Sequence, residues 1–75
     1  MNIQSLKQYL QTYLKFEFCS EILHDIYIFD SPDGVLACMV RITAYLHNWN
    51  PQLSVSVTMD IDYERKEYKV TVTEL

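Results

Sequence analysis

The sequence holds a single glycine, Gly34, and only two prolines, Pro32 and Pro51. One glycine cannot build a glycine-rich loop around a phosphate, which excludes nucleotide sites of that kind. Basic residues are scarce too: six Lys and Arg stand against ten Asp and Glu, for a net charge of −4. That sign does not suit a nucleic-acid backbone, and the magnitude is too small for a nucleic-acid mimic. Cysteine occurs twice, at Cys19 and Cys38, so one bridge is the most the chain could form. Met1 to Leu14 is polar at every second or third position, which does not read as a secretion signal. The expectation is therefore two thiols in a reducing cytoplasm. No apolar run reaches the length of a membrane span. What remains is a 75-residue chain, 49% hydrophobic, without linker, repeat or low-complexity tract. It reads as one domain, 1–75, near the lower size limit for folding without staples.

The apolar residues that are present change their period along the chain. Ile3, Leu6, Leu10, Tyr13 and Leu14 recur at helical spacing behind the candidate cap Asn2, predicting a helix over about 3–14. From Phe16 to Asp30 two periods compete. Phe16, Phe18, Ile22, His24, Ile26 and Ile28, mostly apolar, alternate as in a strand, while Cys19, Leu23, Ile26 and Tyr27 also fit a helical face. The β-branched and aromatic "IYIF" decides for one strand, bent near Ser20. "DSPDG" then starts a helix, with Ser31 as cap, Pro32 in the first position and Asp33 on the positive end of the dipole. This second helix runs to about His47, closed by Asn48 or Asn50 in the left-handed conformation and stopped by Pro51. It carries two apolar stripes, Leu36–Met39–Val40–Thr43–Leu46 and Val35–Cys38–Ile42–Tyr45–Trp49, and Arg41 is its single charge between Val35 and Leu46. A helix apolar on nearly all sides is buried on more than one of them.

Beyond Leu53 the period is two. A turn at Glu64-Arg65 would set Met59 opposite Val70, Asp60 opposite Lys69 and Thr58 opposite Thr71, with Asp62 against Glu67 as the one unfavourable pair. The predicted fold class is α+β, in the order α-β-α-β-β, with a three-stranded antiparallel sheet and two helices packed on one of its faces.

Groups that could carry chemistry are few. Asp60, Asp62 and Glu64 share one strand face, but hard cations want oxygens converging from loops, and a charged edge that resists aggregation explains them better. His24 and His47 lie on different elements with no ligand partner at a zinc spacing. His24 reads as a core or half-buried histidine and His47 as a helix C-terminal one. An apolar surrounding raises the Cys38 thiol pKa, and Glu17 and Glu21 flank Cys19, so neither thiol is placed as a nucleophile. Arg65, Lys66 and Lys69 are interleaved with acids, as on a solvated hairpin. No enzyme, cofactor, metal or small-molecule substrate is expected. The apolar excess on the second helix, ending in Trp49, is the candidate site: Ile42, Tyr45 and Trp49 are expected to form an interface, with Ile42 beneath the two aromatics.

Two stretches carry a family likeness. "IYIFDSPDGVLACMVRITAYLHNWNP", Ile26 to Pro51, runs from a hydrophobic strand through an Asp-containing loop into an apolar helix. That helix ends in Ala44-Tyr45-Leu46, with Asn48, Asn50 and then Pro51. "DIDYERKEYKVTVTEL", Asp60 to Leu75, is a hairpin with an Asp-Ile start and a second strand running to Thr-Glu. Together they resemble the tail completion protein R family of contractile-tailed temperate phages. The resemblance implies an assembly subunit without catalytic residues, packing at the end of a tail tube as a homo-oligomer or ring, or against other tail proteins. The expected location is the host cytoplasm and the virion. Nucleic acid and membrane are not expected partners. The alternative is a small phage or mobile-element protein that binds and inhibits a host factor.

Overall fold

The computed structural model describes residues 3–14 and 19–75. Its elements run α1 (Ile3–Leu14), β1 (Cys19–Leu23), β2 (Ile26–Phe29), α2 (Pro32–Asn48), β3 (Val55–Asp62) and β4 (Glu67–Glu74). The class is α+β: two helices with a fully antiparallel sheet of order β1-β2-β4-β3. The sheet has four strands where three were expected. His24, at φ 50°, and Asp25 form a two-residue turn that splits the expected single strand into a hairpin. Part of that strand, 16–18, and the cap Asn2 lie outside the described residues.

The turn also changes which residues face inwards. Ile22 stands opposite Tyr27 across it, so an even position of β1 shares a face with the odd positions of β2. Tyr27 and Phe29 are therefore core residues, while Ile26 and Ile28 occupy the other face beside Thr71 and Lys69. Alternation across 16–30 had suggested the reverse, because it assumed a strand without a turn.

The β3–β4 hairpin has the expected register: Met59 lies opposite Val70, Asp60 opposite Lys69 and Thr58 opposite Thr71. The close approach of Asp62 and Glu67 is relieved locally. The Asp62 carboxylate accepts hydrogen bonds from the backbone N–H groups of Glu64 and Arg65, both at 3.1 Å, which fixes the loop. Glu67 pairs with Lys69 on its own strand at 3.7 Å.

Helix α2 starts at Ser31 and Pro32 as expected, although the Ser31 side chain makes no capping hydrogen bond. Its end differs from expectation. Asn48 is the last helical residue, and Trp49 follows at φ −115°, ψ −32°, so no left-handed residue closes the helix. The Tyr45 carbonyl instead accepts the N–H groups of both Trp49, at 2.8 Å, and Asn50, at 3.2 Å. With the terminal carbonyl satisfied, Pro51 turns the chain towards β3.

The core gathers Leu6 and Leu10 of α1, Val35, Cys38 and Ile42 of α2, Tyr27 and Phe29 of β2, and Tyr68, Val70 and Val72 of β4. Helix α2 packs on β4 and β2, whereas the main packing partner of α1 is α2. The two helices are thus not an even layer on the sheet, as had been expected, because α2 alone makes the principal helix–sheet contact. Cys38 keeps its thiol, fully buried in this core.

Candidate functional site

The two apolar stripes of α2 have different fates. Val35, Cys38, Ile42 and Tyr45 point into the core, at 0%, 0%, 2% and 8% exposure. Tyr45 is held at the seam between the helices, its ring centroid 5.0 Å from that of Tyr9, which lies 4.7 Å from Tyr13. The Arg41 guanidinium stands 4.7 Å above the Tyr13 ring and closes the same seam from the side of α2. Three tyrosines and an arginine therefore bind α1 to α2 by ring contacts, and Tyr45 is spent within the protomer.

The other stripe is divided: Met39 and Leu46 pack partly against the core, and its outer line faces solvent. Leu36 is 58% exposed and Val40 66%, on one line along the helix with Thr43 and His47 at steps of four, three and four residues. Met39, Val40, Thr43, Ala44 and His47 line a shallow apolar depression of about 440 Å³ on this face. Trp49, one residue beyond the helix, is 67% exposed. Of the three residues expected at an interface, then, Ile42 is buried in the core, Tyr45 is covered by α1, and Trp49 is exposed. Leu36 and Val40, the exposed pair, belong to the stripe that was not chosen for the interface, with the partly buried Met39 beside them. Their spacing was visible, but nothing in the sequence states which of two equivalent stripes meets the sheet.

A second site lies at the β1–β2 turn. The Lys7 side chain, nearly buried, donates a hydrogen bond to Asp25 Oδ1, and His24 Nδ1 lies 3.0 Å from the same oxygen. The Asp25 backbone carbonyl accepts the Val72 N–H at 2.9 Å. One residue thus fastens α1 to the turn with its side chain and the turn to β4 with its backbone. The Lys7 hydrogen bond holds the Asp25 carboxyl below its ordinary pKa, opposed by partial burial and assisted by His24. His24 was expected in the core or half-buried, but its side chain is 85% exposed, because it stands at the tip of the β1–β2 turn in the left-handed conformation. The arrangement is a structural clasp: it ties three elements together at a surface turn.

A third feature is a polar depression of about 380 Å³ lined by Asn50, Gln52, Leu53, Ser54, Glu74 and Leu75. The buried Asn50 Nδ2 finds no acceptor there among the described residues, a role that an ordered water commonly fills. Among the described residues no three His, Cys, Asp or Glu side chains converge on a point where a metal ion could sit. Nor, among them, is any helix long and apolar enough to cross a membrane. Asp60, Glu64, Arg65 and Lys66 stand on the exposed surface of the β3–β4 hairpin, with Asp62 half-buried beside the loop it braces. Comparisons of the chain with protein-family profiles, with curated proteins and with solved structures found no match.

Proposed function

We propose that this protein is an assembly subunit that works by packing against copies of itself, as a phage-type tail completion component would at the end of a tail tube. The observation that carries the reading is the outer stripe of α2. Leu36 and Val40 are more than half exposed beside Met39, on a helix whose opposite stripe already fills the core. A second apolar face adds nothing to the stability of a single copy, and contiguous exposed apolar surface on a small domain marks a contact. Trp49, exposed just beyond the helix end, adds a residue of the type most enriched among interface hot spots. A tube-end subunit needs adhesive surface rather than catalytic groups, and the surface of α2 has that character. The host cytoplasm and the virion are where such a subunit would act.

Sedimentation equilibrium across a wide concentration range tests the reading. The native chain should self-associate, and Leu36→Lys with Val40→Lys should weaken association at least tenfold while leaving the circular dichroism spectrum unchanged. A native chain that stays a single copy at every concentration, yet is captured tightly by one host protein, would replace this reading by that of a host-factor inhibitor.

A further inference from the structure

We infer that β3 is a pairing edge, which joins the β3 of a second copy in an antiparallel, two-fold arrangement centred on Thr58. The inference rests on the assembly reading above and deepens it by naming a partner strand and a register. Its starting point is the strand order. β4, although last in sequence, lies inside the sheet, and β3 and β1 are its edges.

The two edges differ in availability. β1 has five residues, and its register with β2 shifts between Cys19 and Glu21. Such a bulge is one of the devices that blunt an edge. β3 runs for eight residues in unbroken register with β4. Its sequence, VSVTMDID, contains no proline and carries its charges, Asp60 and Asp62, only in its last three residues, so the usual protections are missing along its first five.

The outward backbone groups of β3 can be assigned. Leu75 N–H donates to Ser54 C=O across the hairpin at 3.1 Å. Because bonding alternates along an antiparallel strand, Ser56, Thr58 and Asp60 bond towards β4, while Val55, Val57, Met59 and Ile61 turn their N–H and C=O groups away from the sheet. The same four residues carry the apolar side chains of β3, and Met59 is 53% exposed although its register partner Val70 is fully buried. Helix α2 packs mainly on β4 and β2, and on β3 Val55, Val57 and Ile61 are only partly buried against the edge of the core while Met59 is more than half exposed.

Self-pairing about Thr58 satisfies all of these features at once. It sets Val57 opposite Met59 of the second copy and Val55 opposite its Ile61, so outward-bonding residues meet outward-bonding residues along the whole strand. Apolar side chains then meet apolar ones on the core face. Charge is compatible with this arrangement and disfavours two others. Asp60 falls opposite Ser56 and Asp62 opposite Ser54, whereas parallel pairing in register puts each aspartate beside its own copy, and an antiparallel register centred on Ile61 puts Asp60 against Asp62. The resulting contact is isologous and closes on itself. It joins two four-stranded sheets into one and leaves the outer stripe of α2 open for further packing.

Thr58→Cys tests the register directly. Residues that bond inwards on both strands form the close pair of an antiparallel ladder, with Cα atoms about 4.5 Å apart, inside the range a disulfide spans. Mild oxidation with oxidised glutathione should link position 58 of two copies, identified by peptide mass spectrometry, while Ser56→Cys and Asp60→Cys, each opposite the other's position, should not form self-links. Val57→Pro is the second variant. It removes an N–H that faces away from β4, so the hairpin should stay folded while association falls at least tenfold. Absence of the 58–58 link in a chain that does self-associate overturns the inference, as does native association by a folded Val57→Pro. Should association survive Val57→Pro and vanish in the Leu36→Lys, Val40→Lys variant, the β3 register is wrong and the assembly reading stands. A native chain that neither associates nor links ends both.

Discussion

β3 and β4 are written in the same two-residue alternation, yet they live in different environments. Tyr68, Val70 and Val72 of β4 are buried at 8%, 0% and 0%, whereas their register partners Ile61 and Val57 are half-buried and Met59 is 53% exposed. The residue types barely differ. Place in the sheet differs: β4 sits between β2 and β3 beneath α2, and β3 has a neighbour on one side and no principal helix contact above it. A similar separation divides α2, where Val35, Cys38, Ile42 and Tyr45 are core while Leu36 and Val40 are more than half exposed. Alternation therefore tells which residues share a face, and the layer above that face decides how much burial each receives.

Substitutions in the two regions can break this comparison. The largest loss is expected at Phe29, which is 2% exposed and shares the inner face with β4. Phe29→Ala should cost roughly 3–5 kcal/mol, enough to unfold much of so small a domain, as read from urea midpoints. Val70→Ala should follow at about 2 kcal/mol, since its side chain is fully buried, while Met59→Ala, directly opposite it, should cost no more than about 0.5 kcal/mol as a surface change. Equal losses at positions 59 and 70 would mean that β3 is as covered as β4, and the proposed pairing edge would lose its exposed strip.

Asp62→Ala should cost about 1 kcal/mol, because the Glu64 and Arg65 N–H groups lose the acceptor that fixes the loop between the two strands. Thermal melts would measure it, and a gain in stability would indicate that the carboxylate's repulsion by Glu67 outweighs the bonds it accepts. A smaller effect is expected at the opposite side of the sheet. Asp25 has a lowered pKa in the folded state, chiefly through its hydrogen bond from Lys7. Its contribution to stability is therefore complete above the ordinary aspartate value of about 3.9 and is lost as the pH falls below that value through the depressed one. Asp25→Asn should flatten the acid limb of the melting-temperature profile in that window and leave the neutral limb's slope unaltered. An unchanged acid limb would show that the clasp has no electrostatic part.

The proposed assembly role has two separate supports, the likeness to a tail completion family expected from the sequence and the outer face of α2. One rests on the order of elements and on short stretches such as Ala44-Tyr45-Leu46. The other rests on Leu36 and Val40, whose exposure does not depend on any relative. The tests above address the second support alone, because association and cross-linking are properties of this chain.

Several features were fixed by local sequence. Helix α1 follows from the spacing of Ile3, Leu6 and Leu10, and α2 begins where Pro32 pre-sets the backbone angle of a first helical residue. The β3–β4 register follows from the need to match apolar with apolar residues on one face and Asp60 with Lys69 on the other. Tertiary structure decided what local rules leave degenerate. Whether Ile26 and Ile28 or Tyr27 and Phe29 face the core depended on a two-residue turn at His24-Asp25, held from outside by Lys7 of α1 and by the Val72 N–H. Which stripe of α2 is buried depended on where α1 and the sheet meet it, since each stripe alone satisfies helical periodicity. That β3 is an edge depended on β2 pairing with β4, a contact between segments some forty residues apart in sequence. Periodicity acts over one or two turns of chain, and the choice between equivalent faces belongs to the contacts that close the core.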